Sequence, residues 1–437
     1  MSIRIPTLAA LFAAVLLLAG CSLLGPRQRA EPTQDKIKIT IMHNWTVEDG
    51  KAKAMREVME RFRAEHPLIE VEEEGLSTDG LKARLRTLAA ADEMPDLFVM
   101  WPDAMTRDFV RGDLLQPIDD FLNEEPEWRD NFIPNAFDGY TVGGKIYSVP
   151  MNRAPTSLIY YNKALFDRYN VKVPTTWQEL IDAVEAFNRH HLIPIALGNK
   201  SNWFVQSTIF STLADRVTGT DWFLRAVAQD GASFTDPEFI EALRLLQDFG
   251  KLNAFQPGFN GIDDNQMMQL YFTGQAAMVI NGGWAASGIV QNAPKEVLDH
   301  THVTILPAVE GGRGNPHSTS GVVGTGLGVN KKLTGDKKAA AMKLFYALSG
   351  PDGQRATLDS NTLISYKLEL DKSTANPMFV ELNELMQSVE VSPVYDVKLS
   401  AVPVEAMNSG LQELLLGEDP EEVARKIQEA YAGTMGN

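Results

Sequence analysis

Cysteine is almost absent: Cys21 is the only one in 437 residues. The folded body therefore has no disulfide framework, no thiolate nucleophile and no cysteine-based metal site. Its stability must come from a packed core. Basic charge is short as well. Forty Lys and Arg stand against 57 Asp and Glu, a formal net charge of −17. That argues against nucleic acid as a partner, because a phosphate backbone needs a basic face. The apolar run over 8–18 is too short to span a bilayer as a stable helix. There is no internal repeat, no low-complexity tract, no Walker A sequence, no His-Glu-x-x-His and no Gly-x-Ser-x-Gly. Gly324-Thr325-Gly326-Leu327-Gly328 misses the last glycine of a dinucleotide fingerprint, since Val329 fills that place, and reads as a strand.

What remains is an ordinary globular composition, 44% hydrophobic and 22% charged, long enough for two or three domains. The N-terminus carries a processing signal. Arg4 precedes the apolar run, which ends in Leu18-Ala19-Gly20-Cys21. This resembles the bacterial lipoprotein signal, which implies cleavage before Cys21 and a lipid on its thiol. Residues 1–21 are then the signal. Residues 22–35, polar and broken by Gly25, Pro26 and Pro32, read as a tether from membrane to domain.

Along the chain, Ile37, Ile39 and Ile41 alternate with polar residues as in a strand. A helix follows, with Met55, Val58, Met59 and Phe62 on one face. Ile69 and Val71 open a second strand, and Ser77 is placed to cap a helix carrying Leu81, Leu85 and Leu88. Residues 95–100 make a third strand. This β-α-β-α-β order predicts a parallel sheet. Further strands are expected over 145–150, 157–161, 193–197, 303–306 and 324–329. Thr176-Trp177-Gln178-Glu179 is a capping box, which puts Trp177 in the core. Trp128 and Trp222 also read as packing residues, and His190-His191 as a solvated helix end. The fold class is α/β.

The most informative stretch runs from Phe272 to Trp284. It reads as the end of a helix stopped at Gly274, then a buried strand over 276–280, then Asn281-Gly282-Gly283-Trp284. The glycines let the backbone turn sharply and approach a ligand closely. Trp284 stands at the strand's end, where α/β sheets hold their ligands. Trp45, Trp101 and Trp203 also follow predicted strands. Flat aromatic faces beside bidentate polar groups suit a sugar ring, which has apolar C–H faces and a rim of hydroxyls.

The order of several phrases is similar to the bacterial extracellular solute-binding proteins of family 1, the carbohydrate-binding group of ABC importers. These phrases include His66-Pro67-Leu68-Ile69-Glu70-Val71, Pro95-Asp96-Leu97-Phe98, Gly144-Lys145-Ile146-Tyr147-Ser148-Val149-Pro150, Leu158-Ile159-Tyr160-Tyr161-Asn162-Lys163, Pro174-Thr175-Thr176-Trp177, the stretch ending at Trp284, and Gly326-Leu327-Gly328-Val329. The resemblance covers about 36–432. It implies two α/β lobes joined by hinge segments, in a periplasmic-binding-protein-like fold with the ligand between the lobes. The chain would cross near 149–155, 304–308 and 362–366. The first lobe is then 36–150 plus 306–363 and the second 152–304 plus 365–437.

By the same resemblance, Trp203 and Trp284 are stacking positions. Trp101 and Asp103 lie in a loop that supplies a carboxylate to sugar hydroxyls. Trp45 and Ser77-Thr78-Asp79 form the other first-lobe edges, and Tyr395 lies on a late loop that reaches the cleft. Asn152 and Arg153 follow the first crossing and are placed to donate to hydroxyls or a carboxylate, while Asn281, Gly282 and Gly283 adjoin Trp284. The expected partners are a small carbohydrate, the permease subunits of an ABC importer and, through lipidated Cys21, the membrane of the cell envelope. A monomer without cofactor, metal or catalytic residues is expected. Two other readings stand beside this one. A binding protein for glycerol phosphate or polyamine would keep the fold and change the ligand. A secreted glycoside hydrolase would use Asp103 with Asp79 or Asp264.

Overall fold

A computed structural model describes residues 36–434. The predicted signal, Cys21 and the tether lie outside the described residues. The strands follow the apolar patterns. β1 (Ile37–His43) turns Ile39 and Ile41 inward. The helix Gly50–Glu65 comes next, with its capping residue Asp49 accepting from the Ala52 N–H at 2.7 Å. After β2 (Ile69–Gly75) the helix Thr78–Ala91 buries Leu81, Leu85 and Leu88, and β3 (Leu97–Met100) is buried throughout. The strand expected over 145–150 is shorter: a hairpin of β4 (Thr141–Val142) and β5 (Lys145–Ile146) turns at Gly143-Gly144, both at positive φ. β6 (Ala154–Pro155), β7 (Leu158–Asn162), β8 (Ile193–Ala196), β9 (Ala276–Asn281) and β10 (Thr301–Ile305) follow. β11 (Ser318–Val322), β12 (Gly326–Val329) and β13 (Glu390–Pro393) complete the set.

These strands build two four-stranded sheets with helices packed around them, ordered β12-β3-β1-β2 and β10-β7-β9-β8. The first is parallel except for β12, and in the second β7 runs against its neighbours β10 and β9 while β8 pairs parallel with β9. A third sheet, β13-β11-β6, joins residues far apart in sequence. Each large sheet has its own core. One core contains Ile39, Phe98, Trp128, Leu327 and Phe345, and the other Tyr160, Phe187, Trp222, Met278 and Ile427. Trp128, Trp177 and Trp222 are all buried packing residues. Leu180, Val184 and Phe187 sit on the inner face of a helix that opens with the expected Thr176/Glu179 capping box.

The chain passes between the cores three times. The first passage falls between Met151 and Leu158. The second differs from the expected 304–308. Leu306 and Val309 still pack in the second core, and the first sheet resumes only at Gly326. The reason is Arg216, buried in the second core. Its guanidinium donates to Leu306 O, Asn315 O and both oxygens of Ser318, which binds the 307–317 loop to that lobe. The third passage, after Leu348, is not a single step: Leu358 and Leu363 pack in the second core, Tyr366 in the first, and Met378 and Phe379 in the second again.

The passages touch each other. The Met151 N–H donates to Thr325 O at 2.8 Å, and the Arg153 N–H to Leu363 O at 2.7 Å. Gly324 has φ +130, and a Cβ there would stand 1.6 Å from Asn152 O. Both the backbone conformation and the space require glycine. Gly324→Ala is therefore expected to lower the unfolding free energy by about 2 kcal/mol or more. Urea denaturation checks this, and an unchanged midpoint at unchanged slope would refute it.

Candidate functional site

A cavity of about 520 Å³ lies between the two cores, within the ~300–1,000 Å³ usual for small-molecule sites. Both lobes line it. The first contributes Asn44, Trp45, Asp49, Lys51, Thr78, Lys82 and Trp101, and the second Trp203, Ser207, Asp264, Met268, Asn281 and Trp284. Asn152 and Thr325 line it at the passages. The lobes meet around it. Asn292 donates to Glu48 O at 3.0 Å on one side, and Lys398 pairs with Asp103 at 2.7 Å on another.

The aromatic residues arrive by strand ends. Trp45 follows β1, Trp101 follows β3, Trp284 follows β9 and Trp203 lies beyond β8. Trp203 and Trp284 meet nearly edge-on, with centroids 6.2 Å apart. Trp45 stacks on His43 at 4.6 Å, and its indole N–H, buried, has no protein acceptor among the described residues. Gly282 is required for a reason other than ligand approach. A Cβ there would fall 2.2 Å from the Trp284 ring, so the ring itself occupies the space the missing side chain leaves. Gly283 packs on Pro155 and donates to its carbonyl at 2.8 Å. Neither glycine lines the cavity.

Polar groups are held in set directions. Asn281 Oδ1 accepts from the Gly282 N–H at 2.8 Å. Asn152 Oδ1 accepts from Thr325 N–H and Oγ1 at 3.1 and 2.9 Å, which leaves its NH2 for the cavity. A π-helical turn, Gln206–Phe210, places Ser207 on the wall. Such turns recur at functional sites.

Other predicted site residues are engaged elsewhere. Asp103 gives its carboxylate to Lys398, with Arg107 3.7 Å away, and adopts φ +66 at the start of its helix. Ser77 spends its hydroxyl on the Gly80 N–H as a helix cap, and Asp79 is exposed in the first turn of that helix. Arg153 donates to Met386 O at 3.3 Å, and burial lowers its pKa. Tyr395 is 1% exposed and stacks face to face on Phe223 at 3.7 Å, so it belongs to the second core. Of the acids weighed for hydrolysis, Asp264 lines the cavity, whereas Asp103 and Asp79 do not.

Apart from Asp264, the charged residues of the cavity, Asp49, Lys51, Lys82 and Asp396, were not singled out in the sequence. Asp49 and Asp264 have carboxyls pushed up by burial; for Asp264 the neighbouring Asp263 adds to it. Burial pushes the Lys51 ammonium down to about 8, opposed by Asp49. Nothing in the local sequence pattern distinguished Lys51 or Lys82 from solvated lysines. Among the described residues no cluster of three or more metal-ligating side chains occurs, and no helix is long and apolar enough to cross a membrane.

The model of the family described as bacterial extracellular solute-binding protein matches residues 45–355. The chain belongs to that family. A multiple sugar-binding protein of Streptococcus mutans is 27% identical over 288 residues, 64% of this chain and 64% of that protein. An uncharacterized ABC transporter extracellular-binding protein of Pyrococcus horikoshii is 24% identical over 290 residues, 65% of this chain and 64% of its own length. The chain thus spans just under two thirds of these curated relatives. A structure from work on xylan utilization by the thermophilic bacterium Caldanaerobius polysaccharolyticus superposes with a TM-score of 0.82 at 28% identity, covering 90% of this chain and 99% of that one. A chitin oligosaccharide binding protein matches at TM-score 0.82 and 24% identity, over 90% and 98% of the two chains. The two-lobe solute-binding fold is thereby shown.

Lys51 provides a test of the cavity's electrostatics. Its folded pKa lies below the ordinary 10.5. Between about 8 and 10.5 the unfolded chain binds more protons, so this group's contribution to stability rises with pH there. The cost of holding it charged is complete below pH 8. Lys51→Met should therefore gain most over the parent at pH 7, and the gain should shrink by pH 10. Paired denaturant titrations at the two pH values measure it; a gain independent of pH would contradict the burial of a charged ammonium.

Proposed function

We propose that this protein is the extracytoplasmic substrate-binding component of an ABC importer. It captures a sugar or oligosaccharide between its lobes and delivers it to a membrane permease. The observation that carries this reading is the convergence of Trp45, Trp101, Trp203 and Trp284 with Asn152 and Asn281 on one inter-lobe cavity. Indole faces suit the C–H faces of pyranose rings, and side-chain amides suit vicinal hydroxyls. The names of the relatives support it, since sugar-binding and oligosaccharide-binding proteins are among them. Contacts from both lobes stabilise the closed form over the open one, and that difference is the signal a permease reads. Binding needs no covalent step, and the reading includes no catalysis. Lipid attachment at Cys21 would hold the protein, as a monomer, at the outer face of the cytoplasmic membrane or in the periplasm.

The test is a titration of residues 22–437 with mono- and oligosaccharides, glycerol phosphates and polyamines, followed by thermal shift and tryptophan emission. A saccharide at a hundred times its dissociation constant should add about 2.7 kcal/mol of stability. Trp284→Ala should weaken that saccharide at least tenfold, about 1.4 kcal/mol. A response to glycerol phosphate or polyamine alone would keep the fold assignment and overturn the carbohydrate one.

A further inference from the structure

One cavity wall is already covered by the protein's own side chain. Lys82, on the helix Thr78–Ala91, places its ammonium 4.6 Å from the centroid of the Trp101 ring. The same ammonium lies 4.0 Å from Asp396 of the facing lobe. Lys82, Trp101 and Asp396 all line the cavity, as does the Trp203–Trp284 pair, over which no cation lies among the described residues. Asp396 stands in a short helix, Tyr395–Lys398, and its carboxylate is 10% exposed.

An ammonium and the C–H face of a pyranose use the same feature of an indole, the negative potential over its ring. They therefore compete for one face. We propose that Trp101 is the platform of a second pyranose subsite and that Lys82 is its resident occupant, so that Lys82 sets the ligand length the cleft accepts. This rests on the saccharide reading above. A short saccharide uses the Trp203–Trp284 end without disturbing Lys82. A longer one gains its next stacking contact only by lifting the ammonium from Trp101. Asp396 remains as counter-ion for the displaced lysine, so displacement costs the cation–π contact without stranding a charge. The penalty falls on the added sugar unit and not on the first.

The experiment is calorimetric titration of the protein and of Lys82→Ala with xylo-oligosaccharides and chito-oligosaccharides of one to six units. Removing the occupant should raise the ratio of long-chain to short-chain affinity about two- to fivefold, the worth of a partly exposed cation–π contact. Lys82→Ala with Trp101→Ala should lose that gain. Lys82→Arg, whose guanidinium also covers an indole, should keep the parent length profile. Equal weakening at every length in Lys82→Ala would make Lys82 a direct donor to the sugar and overturn the proposal. An unchanged profile would overturn it too, with the saccharide reading intact. If neither series binds the parent or Lys82→Ala, both the subsite and its carbohydrate class fall.

Discussion

Everything in this molecule depends on three backbone passages that run side by side between two cores. Residues 150–153, 323–326 and 363–365 bind one another through Met151 to Thr325, Arg153 to Leu363 and Ser365 to Val323. Gln354 adds a bond to Pro150 O at 2.8 Å, and the Tyr140 hydroxyl one to Gly324 O at 2.7 Å. Each core is a closed apolar unit by itself. What joins them covalently is this strap of main chain, and the cavity lies between it and the side-chain contacts that cross the cleft, Asn292 to Glu48 and Lys398 to Asp103. Asn152 and Thr325 belong to both: their mutual bonds join two passages, and they also line the cavity. A ligand that touches them bears directly on the segments about which the lobes would turn. Hinges of this kind absorb motion at a few terminal positions while the packed cores move as units.

The tryptophans follow from the same architecture. A buried strand ends where the sheet ends, so the residue after it leaves the core at the sheet's edge. Trp101 and Trp284 are half-buried for this reason, each held from behind by its own sheet. Gly282 makes the second of these rigid. With no side chain at 282, the Trp284 ring lies against the backbone, and a ring so supported would lose little freedom when a ligand packs on it.

The first three strands and several helices could be read because apolar spacing reports burial: Ile39 and Ile41, Met55 to Phe62, and the 276–280 run are all core. β11 and β13 could not. Ser318-Thr319-Ser320-Gly321-Val322 has no apolar alternation, and its burial is satisfied by hydroxyls, with Ser320 Oγ bonded to Thr156, Ser157 and Thr212. Reading 306 as the return to the first lobe failed for a related reason, since Arg216 acts across about a hundred residues. In the cleft, indoles at strand ends were legible. Asp103 and Tyr395, carried over from the family resemblance, were not, because Lys398 and Phe223 compete for them from distant parts of the chain.

The mixed charge of the cavity bears on what it holds. Asp49, Asp264 and Asp396 line it beside Lys51 and Lys82. Like charges a few ångströms apart in a poorly hydrated cleft repel by several kcal/mol on the scale of Coulomb's law at reduced dielectric, about 4 kcal/mol at 4 Å for an effective dielectric of 20. A phosphate monoester would meet three acids as well as two ammonium groups, and a polyamine two ammonium groups as well as three acids, so neither is matched by a single sign of charge. A polyol carries no charge and offers both donors and acceptors at every hydroxyl, so it can serve carboxylate and ammonium in turn. Lys51 is the clearest case. Asp49 acts on it only through space, and its ammonium is held at a cost that burial makes visible in its lowered pKa. A neutral hydroxyl beside that ammonium would accept from it without adding a charge that Asp49 would have to tolerate.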